Sequence, residues 1–208
     1  MMKLYPSLKL SLFAFFLTGM GGLNAQTFNW VETNSGNGTV SGSALAFAEN
    51  ADYIAVGDAE GAVTFGSIGA GSPGGKSVVV VRYDSTGTLQ WATTFEAPED
   101  VEVGGVATGP GDAIYVSGTF EGQLLMPGIL LANAEDENGF LVKLNGSGVP
   151  LWAVNMESSK EAEVVDVGYN GNDQVIVLGK FEDDLQLPPN SFTATGDEDV
   201  FVAAFDTA

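Results

Sequence analysis

From about residue 31 onward, apolar positions come in short runs separated by Gly, Asn, Asp and Ser, and no stretch holds a helical period with caps. The runs fall into a recurring order of four. The first is small and apolar, at Ala44-Leu45-Ala46-Phe47, Gly105-Val106-Ala107 and Val165-Asp166-Val167-Gly168, as strands crowded around an axis would be. Turn chemistry follows at 49–52, 109–112 and 170–173, rich in the Gly, Asn and Asp that tight hairpins need. The second run is Tyr53-Ile54-Ala55-Val56, Ile114-Tyr115-Val116 or Val175-Ile176-Val177-Leu178, and a glycine closes each one. Glycine at a strand end marks a bulge or a close backbone approach. The third run is apolar without alternation, at 78–81, 140–142 and 200–202, which predicts strands buried on both faces. It turns through Asp84-Ser85-Thr86-Gly87 or Asn145-Gly146-Ser147-Gly148 into a fourth run, Leu89-Gln90-Trp91-Ala92 or Leu151-Trp152-Ala153.

The recurrence has a fixed period of 61 residues, carried by Trp30, Trp91 and Trp152 and by Gly57, Gly118 and Gly179. An undrifting period means one supersecondary unit stacked three times, each copy covering an apolar face its neighbour cannot bury alone. The copies run approximately over 31–91, 92–152 and 153–208. Four-stranded antiparallel units repeated radially are β-propeller blades. The predicted fold is therefore all-β, a partial propeller of about three blades. Phe28-Asn29-Trp30 has the phase of a fourth strand, whereas Asp206-Thr207-Ala208 stops where Asp84-Ser85-Thr86 leads into one. Three blades are fewer than the usual 4 to 8. The expectation is a fragment of a longer propeller or, failing that, an oligomer that completes the ring.

Residues 1–25 read as a secretory signal peptide, with Lys3 and Lys9 before an apolar run from Leu10 to Leu17 and small residues up to Ala25. The run is too short for a spanning helix. Export would leave residues 26–208 as the repeat domain, with five basic residues against 27 acidic ones. Such a surface repels phosphate backbones and anionic headgroups, which argues against nucleic acid and against membrane attachment after signal cleavage. The sequence has no cysteine, so an exported domain would rely on packing and hydrogen bonds.

The strand ending in Ser117-Gly118-Thr119-Phe120, the run Phe140-Leu141-Val142-Lys143-Leu144-Asn145 and Leu89-Gln90-Trp91-Ala92 together resemble the secreted bacterial β-propeller repeat proteins. The resemblance covers nearly all of residues 28–208. It implies an extracellular or cell-surface propeller, often joined to adhesion-type or sorting domains.

Chemistry is restricted by the lack of both His and Cys, which removes the common nucleophile-base pairs and the usual zinc sites. Catalysis would need a carboxylate pair in a cleft. The acidic residues cluster in turns instead, at Glu135-Asp136-Glu137-Asn138 and at Asp197-Glu198-Asp199. Asp136, Glu137, Asp197 and Asp199 are candidate ligands for Ca²⁺, which favours oxygen donors. A solvated, edge-blunting charge run is the simpler reading, and Gly75-Lys76-Ser77 in the first copy shows that the feature is not intrinsic to the repeat. No cofactor is expected. The Trp residues are read as wedges between adjacent sheets rather than sugar-stacking platforms. The sequence thus points to a secreted, non-catalytic binding, adhesion or scaffold module. Its partners would be an extracellular protein or a glycan, with self-association through open blade edges. A glycan-binding or glycan-cleaving propeller is the alternative.

Overall fold

The structure, a computed structural model, describes residues 31–72, 75–132 and 137–207. The predicted signal peptide, Trp30 and Asp136 lie outside them. Among the described residues there are eighteen strands and one 3₁₀ turn, Pro110–Asp112. In chain order the strands are β1 (Asn34–Gly36), β2 (Thr39–Phe47), β3 (Tyr53–Glu60), β4 (Val63–Phe65), β5 (Ile68–Ala70), β6 (Lys76–Tyr83), β7 (Leu89–Ala97), β8 (Val101–Gly109) and β9 (Ala113–Phe120). They continue with β10 (Gln123–Met126), β11 (Ile129–Ala132), β12 (Asn138–Leu144), β13 (Pro150–Ser158), β14 (Ala162–Tyr169), β15 (Gln174–Phe181), β16 (Asp184–Leu187), β17 (Asn190–Thr193) and β18 (Asp199–Asp206).

These strands form an all-β, propeller-type repeat whose blades are antiparallel. Two sheets are complete, with orders β2-β3-β6-β7-β10-β11 and β8-β9-β12-β13-β16-β17 from one edge to the other. The first four strands of each are the predicted blade. The last two are a hairpin contributed by the following repeat, which crosses over to extend its predecessor's outer strand. That hairpin occupies the segment that looked merely variable in sequence. Its register repeats with the period: Ser35↔Thr64, Glu96↔Leu125 and Glu157↔Gln186 are the same pair three times over. The two remaining sheets have three strands each, β1-β4-β5 and β14-β15-β18. The former is the outer half of a blade and the latter the inner half.

The repeating glycine has a physical cause. The first strand of each blade carries a bulge, between Gly42 and Ala44, Val103 and Gly105, and Val164 and Asp166. Opposite it, a Cβ on Gly57, Gly118 or Gly179 would lie 2.0, 2.1 or 2.4 Å from the carbonyl oxygen of Ser41, Glu102 or Glu163. No side chain fits there. These glycines sit inside β3, β9 and β15 rather than at strand ends, which corrects the sequence expectation. The turn after the third strand closes on a glycine that its sequence places at the left-handed position of a short hairpin loop: Gly87 and Gly148 have φ of 87° and 77°. Asp84 Oδ1 accepts the amides of Thr86 and Thr88, and Asn145 Oδ1 accepts those of Ser147 and Val149.

Apolar side chains pack between blades. One core joins Val78, Val80 and Phe95 of the first complete sheet to Val116, Phe120, Phe140 and Val142 of the second, with Leu124 of the β10–β11 hairpin between them. A second core joins Leu141 and Met156 to Val164, Val177 and Phe201. A smaller one seats β4 and β5 against Val79 and Val81. Burying each such side chain contributes roughly 1.5–3 kcal/mol, so the junctions hold the arc together. Strand β2 packs on β8 and β8 on β14, so successive blades meet through their first strands.

Candidate functional site

The repeat's polar residues are mostly consumed in joining blades. The amide of Val103 donates to Asp58 Oδ1 at 2.8 Å, and one repeat later the amide of Val164 donates to Thr119 Oγ1 at 3.3 Å. Burial pushes the Asp58 carboxyl above its ordinary pKa, and the Val103 hydrogen bond only partly opposes this. Arg82 is buried between blades. Its Nε donates to Asp52 at 2.8 Å, and its Nη1 donates to Asp112 at 2.6 Å and to the Gly146 carbonyl at 2.8 Å. Burial alone would lower the guanidinium pKa, but Asp112 and Asp52 outweigh it and hold the group above its ordinary value. Lys143, the counterpart of Arg82, donates to the Thr207 carbonyl, the counterpart of Gly146.

The Trp residues follow the same logic. Trp91 Nε1 donates to the Gly146 carbonyl at 3.0 Å, and its ring lies over Gly148 of the next blade's turn. Trp152 is half-buried against the second core, with its ring centroid 6.1 Å from that of Tyr115. Its Nε1 is buried and has no hydrogen-bond partner among the described residues. The Trp91 ring is thus the inter-sheet wedge that the sequence predicted, while Trp152 packs on Tyr115 of its own sheet beneath the second core.

The cation candidates do not assemble. Glu137 is an exposed residue that lines a small acidic pocket of about 170 Å³ with Asp100, Glu102, Glu121 and Glu163. Desolvation, then Glu161, Glu102, Asp100 and Glu121, raise its pKa. Asp197 and Asp199 do not line this pocket. Asp199 instead accepts the amide and hydroxyl of Thr195, closing its own loop. Between the two regions Lys180 bridges Glu163 and Glu198, at 2.9 Å each. Among the described residues no group of three or more acidic side chains is placed to hold a metal ion.

The feature that sequence reasoning did not localise is a groove of about 900 Å³ along β18, walled on the far side by the β16–β17 hairpin. Phe181, Leu185, Leu187, Phe192 and Phe201 supply apolar walls, and Asp199 is the one titratable residue in its lining. Expected to be buried on both faces, β18 is not: Val200 and Val202 are 72% and 69% exposed. The correction follows from position, because among the described residues no further sheet packs on this face of β18. Strand β17 is likewise exposed throughout, whereas its counterpart β11 tucks Ile129 and Leu131 against the first core.

No known family profile matches the chain. An uncharacterized WD repeat-containing protein of Acanthamoeba polyphaga mimivirus is 27% identical over 125 residues, covering 57% of this chain and 9% of that protein. The chain therefore spans a small part of the relative it matches.

Proposed function

We propose that this chain is a secreted, non-catalytic repeat module that binds or scaffolds protein through the exposed groove of its terminal blade. The observation that carries the reading is the lining of that groove: apolar walls, one carboxylate, and an edge strand whose outer side has no partner strand among the described residues. Such a site offers apolar contact and main-chain hydrogen bonds, the means by which an extended segment adds to a sheet edge. It does not offer the spaced pair of carboxyl groups that glycan cleavage requires. The likeness to a WD repeat-containing protein supports a repeat scaffold, and the leader-like residues 1–25 support export.

A glycan array together with a hydrolysis screen on the purified protein tests the class. The expected result is neither sugar binding nor turnover. Turnover abolished by one Asp or Glu substitution would replace this reading with the glycan-cleaving one. Amino-terminal sequencing of the exported product should begin at Gln26, and retention of Met1 in a product held inside the cell would remove the secretory assignment.

A further inference from the structure

We propose that Asn170 is a self-modifying residue. Its side-chain amide is lost to attack by the main-chain nitrogen of Gly171, which turns the position into aspartate or isoaspartate and gives the β14–β15 turn a new negative charge.

The chemistry belongs to Asn-Gly pairs, because glycine has no side chain to hinder attack by its own amide nitrogen. The sequence has four of them, Asn37-Gly38, Asn138-Gly139, Asn145-Gly146 and Asn170-Gly171. For the reaction, the peptide unit between the two residues must turn until the glycine nitrogen meets the Asn Cγ. The fold decides which of the four is able to turn.

Three are held. Asn138 and Gly139 are buried in β12, where Gly139 is paired with Thr119 of β9 on one side and Met156 of β13 on the other. The Gly38 amide donates to the Ala62 carbonyl at 3.1 Å. The Asn145 carbonyl accepts the Gly148 amide at 2.9 Å, and the Gly146 carbonyl is clamped by Arg82 and Trp91 of the preceding blade. Turning any of these units breaks main-chain hydrogen bonds. The unit between Asn170 and Gly171 carries none: neither the Asn170 carbonyl nor the Gly171 amide is hydrogen-bonded among the described residues. Both residues are exposed, and a Cβ on Gly171 would stand in open space.

The side chain, in contrast, is fixed in a reactive setting. Asn170 Oδ1 accepts the amides of Asn172 and Gln174, at 2.8 and 3.3 Å. Two donors aimed at that oxygen stabilise the negative charge that develops on it as nitrogen adds to Cγ, the role of an oxyanion hole. The leaving nitrogen, Nδ2, donates to Gln174 Oε1 at 2.9 Å. Water is the only co-reactant. The Gly171 nitrogen gives its proton to solvent and bonds to Cγ; the Cγ–Nδ2 bond breaks, and Nδ2 takes a proton from solvent and departs as ammonia. The resulting five-membered imide then adds one water. Opening at Cγ restores the peptide and leaves aspartate, whereas opening at the main-chain carbonyl carbon leaves isoaspartate, with one more atom in the main chain. Either product loses the bond from Nδ2 to Gln174 and sets a carboxylate in the same turn as exposed Asp173. Isoaspartate also lengthens the turn whose Asp173 carbonyl receives the Thr207 amide just beyond β18.

The test is to hold the purified protein at about 37 °C, at about pH 8.5 and about pH 6, and to follow it by peptide mapping. Each event raises the mass by about 1 Da, and isoaspartyl methyltransferase labels the isoaspartate share. In the folded protein Asn170 should react at least about tenfold faster than each of the other three, as expected where the competing peptide units must first give up hydrogen bonds. The rate should rise with pH, because the deprotonated amide is the nucleophile. In guanidinium chloride the four pairs should converge. Asn170→Gln should abolish the mass gain of the folded protein with unchanged circular dichroism, since its amide would have to close a six-membered ring. The inference is overturned by native modification at Asn37 or Asn145 as fast as at Asn170, or by an Asn170 that the fold protects as fully as the other three. It is equally overturned if the same ranking persists in guanidinium chloride, which would place the selectivity in local sequence instead of the fold.

Discussion

Strands β12 and β18 are the same element of the repeat one period apart, and their surroundings make opposite demands on them. In β12 the side chains of Phe140, Leu141 and Val142 are all wholly buried, because a blade lies against each face. In β18 only the Phe201 side packs, onto the preceding blade, and Val200 and Val202 face outward. Both runs are equally apolar in sequence. Side-chain type in a repeat protein reflects the interior of the stack, and the end units inherit it whether or not anything covers them. Among the described residues nothing covers Val200 and Val202, and an exposed apolar face of this kind is a place for association.

The largest expected effect tests that contrast. Leu141→Ala should destabilise by about 2–5 kcal/mol, the cost of truncating a packed core residue. Val202→Ala, its counterpart, should stay within about 0.5 kcal/mol under conditions that keep the chain monomeric. Urea denaturation at low protein concentration measures both, and equal losses would mean that the last blade is covered within a single chain.

The buried cation gives the next largest difference. Arg82→Met leaves Asp52 and Asp112 without their partner, a change that costs about 3–5 kcal/mol in a fully buried pair. Because the Asp112 side chain is 39% exposed, about 2–3 kcal/mol is expected here. Lys143→Met removes a single bond to the Thr207 carbonyl, and about 1 kcal/mol is expected. Similar losses at the two sites would show that the carboxylates are solvated after Arg82 is removed.

Much of this contrast was legible before any coordinates. The period, the four blade strands, the left-handed Gly87 and Gly148 and the wedge role of Trp91 all follow from local chemistry repeated in phase. The crossover hairpin was not legible, because its three copies, Val63–Phe65, Gln123–Met126 and Asp184–Leu187, share little beyond one buried apolar position. Its partner strand belongs to the previous repeat, and local pattern carries no information about a pairing across that boundary. The groove was not legible, because the β18 run is as apolar in sequence as the buried β12 run. Asp199 looked like a cation ligand because it ends a run of three acidic residues, Asp197-Glu198-Asp199, yet its repeat position is that of Asn138, a strand-end acceptor.

The Trp pair sharpens the comparison at lower energy. Trp91→Phe loses the bond to Gly146 and should cost about 1 kcal/mol more than Trp152→Phe, whose indole nitrogen has no partner to lose. Thermal unfolding of the two variants measures the difference. A greater loss at Trp152 would mean that its nitrogen is bonded in solution.

The smallest effect concerns the two inter-blade acceptors. Asp58 and Thr119 receive equivalent amides, but Asp58 brings a charge into a partly buried junction where a hydroxyl suffices one repeat later. Its folded pKa lies above the ordinary 3.8 because burial disfavours the carboxylate. Above that folded pKa the native state bears a desolvation cost that the unfolded chain does not. As pH falls through the folded pKa the native carboxyl takes up its proton first, so this group's contribution shifts toward stability, and the shift ends once pH is below the unfolded value. Asp58→Asn keeps an oxygen for the Val103 amide and removes the charge. It should therefore stabilise the protein at pH 7 by up to about 0.5 kcal/mol, allowing for partial solvent screening. That gain should shrink as pH approaches 4, where the parent carboxyl is itself neutralising. Melting temperatures of parent and variant across pH 4 to 8 read this directly, and a gain that grows toward low pH would show that the Val103 amide, rather than burial, governs Asp58.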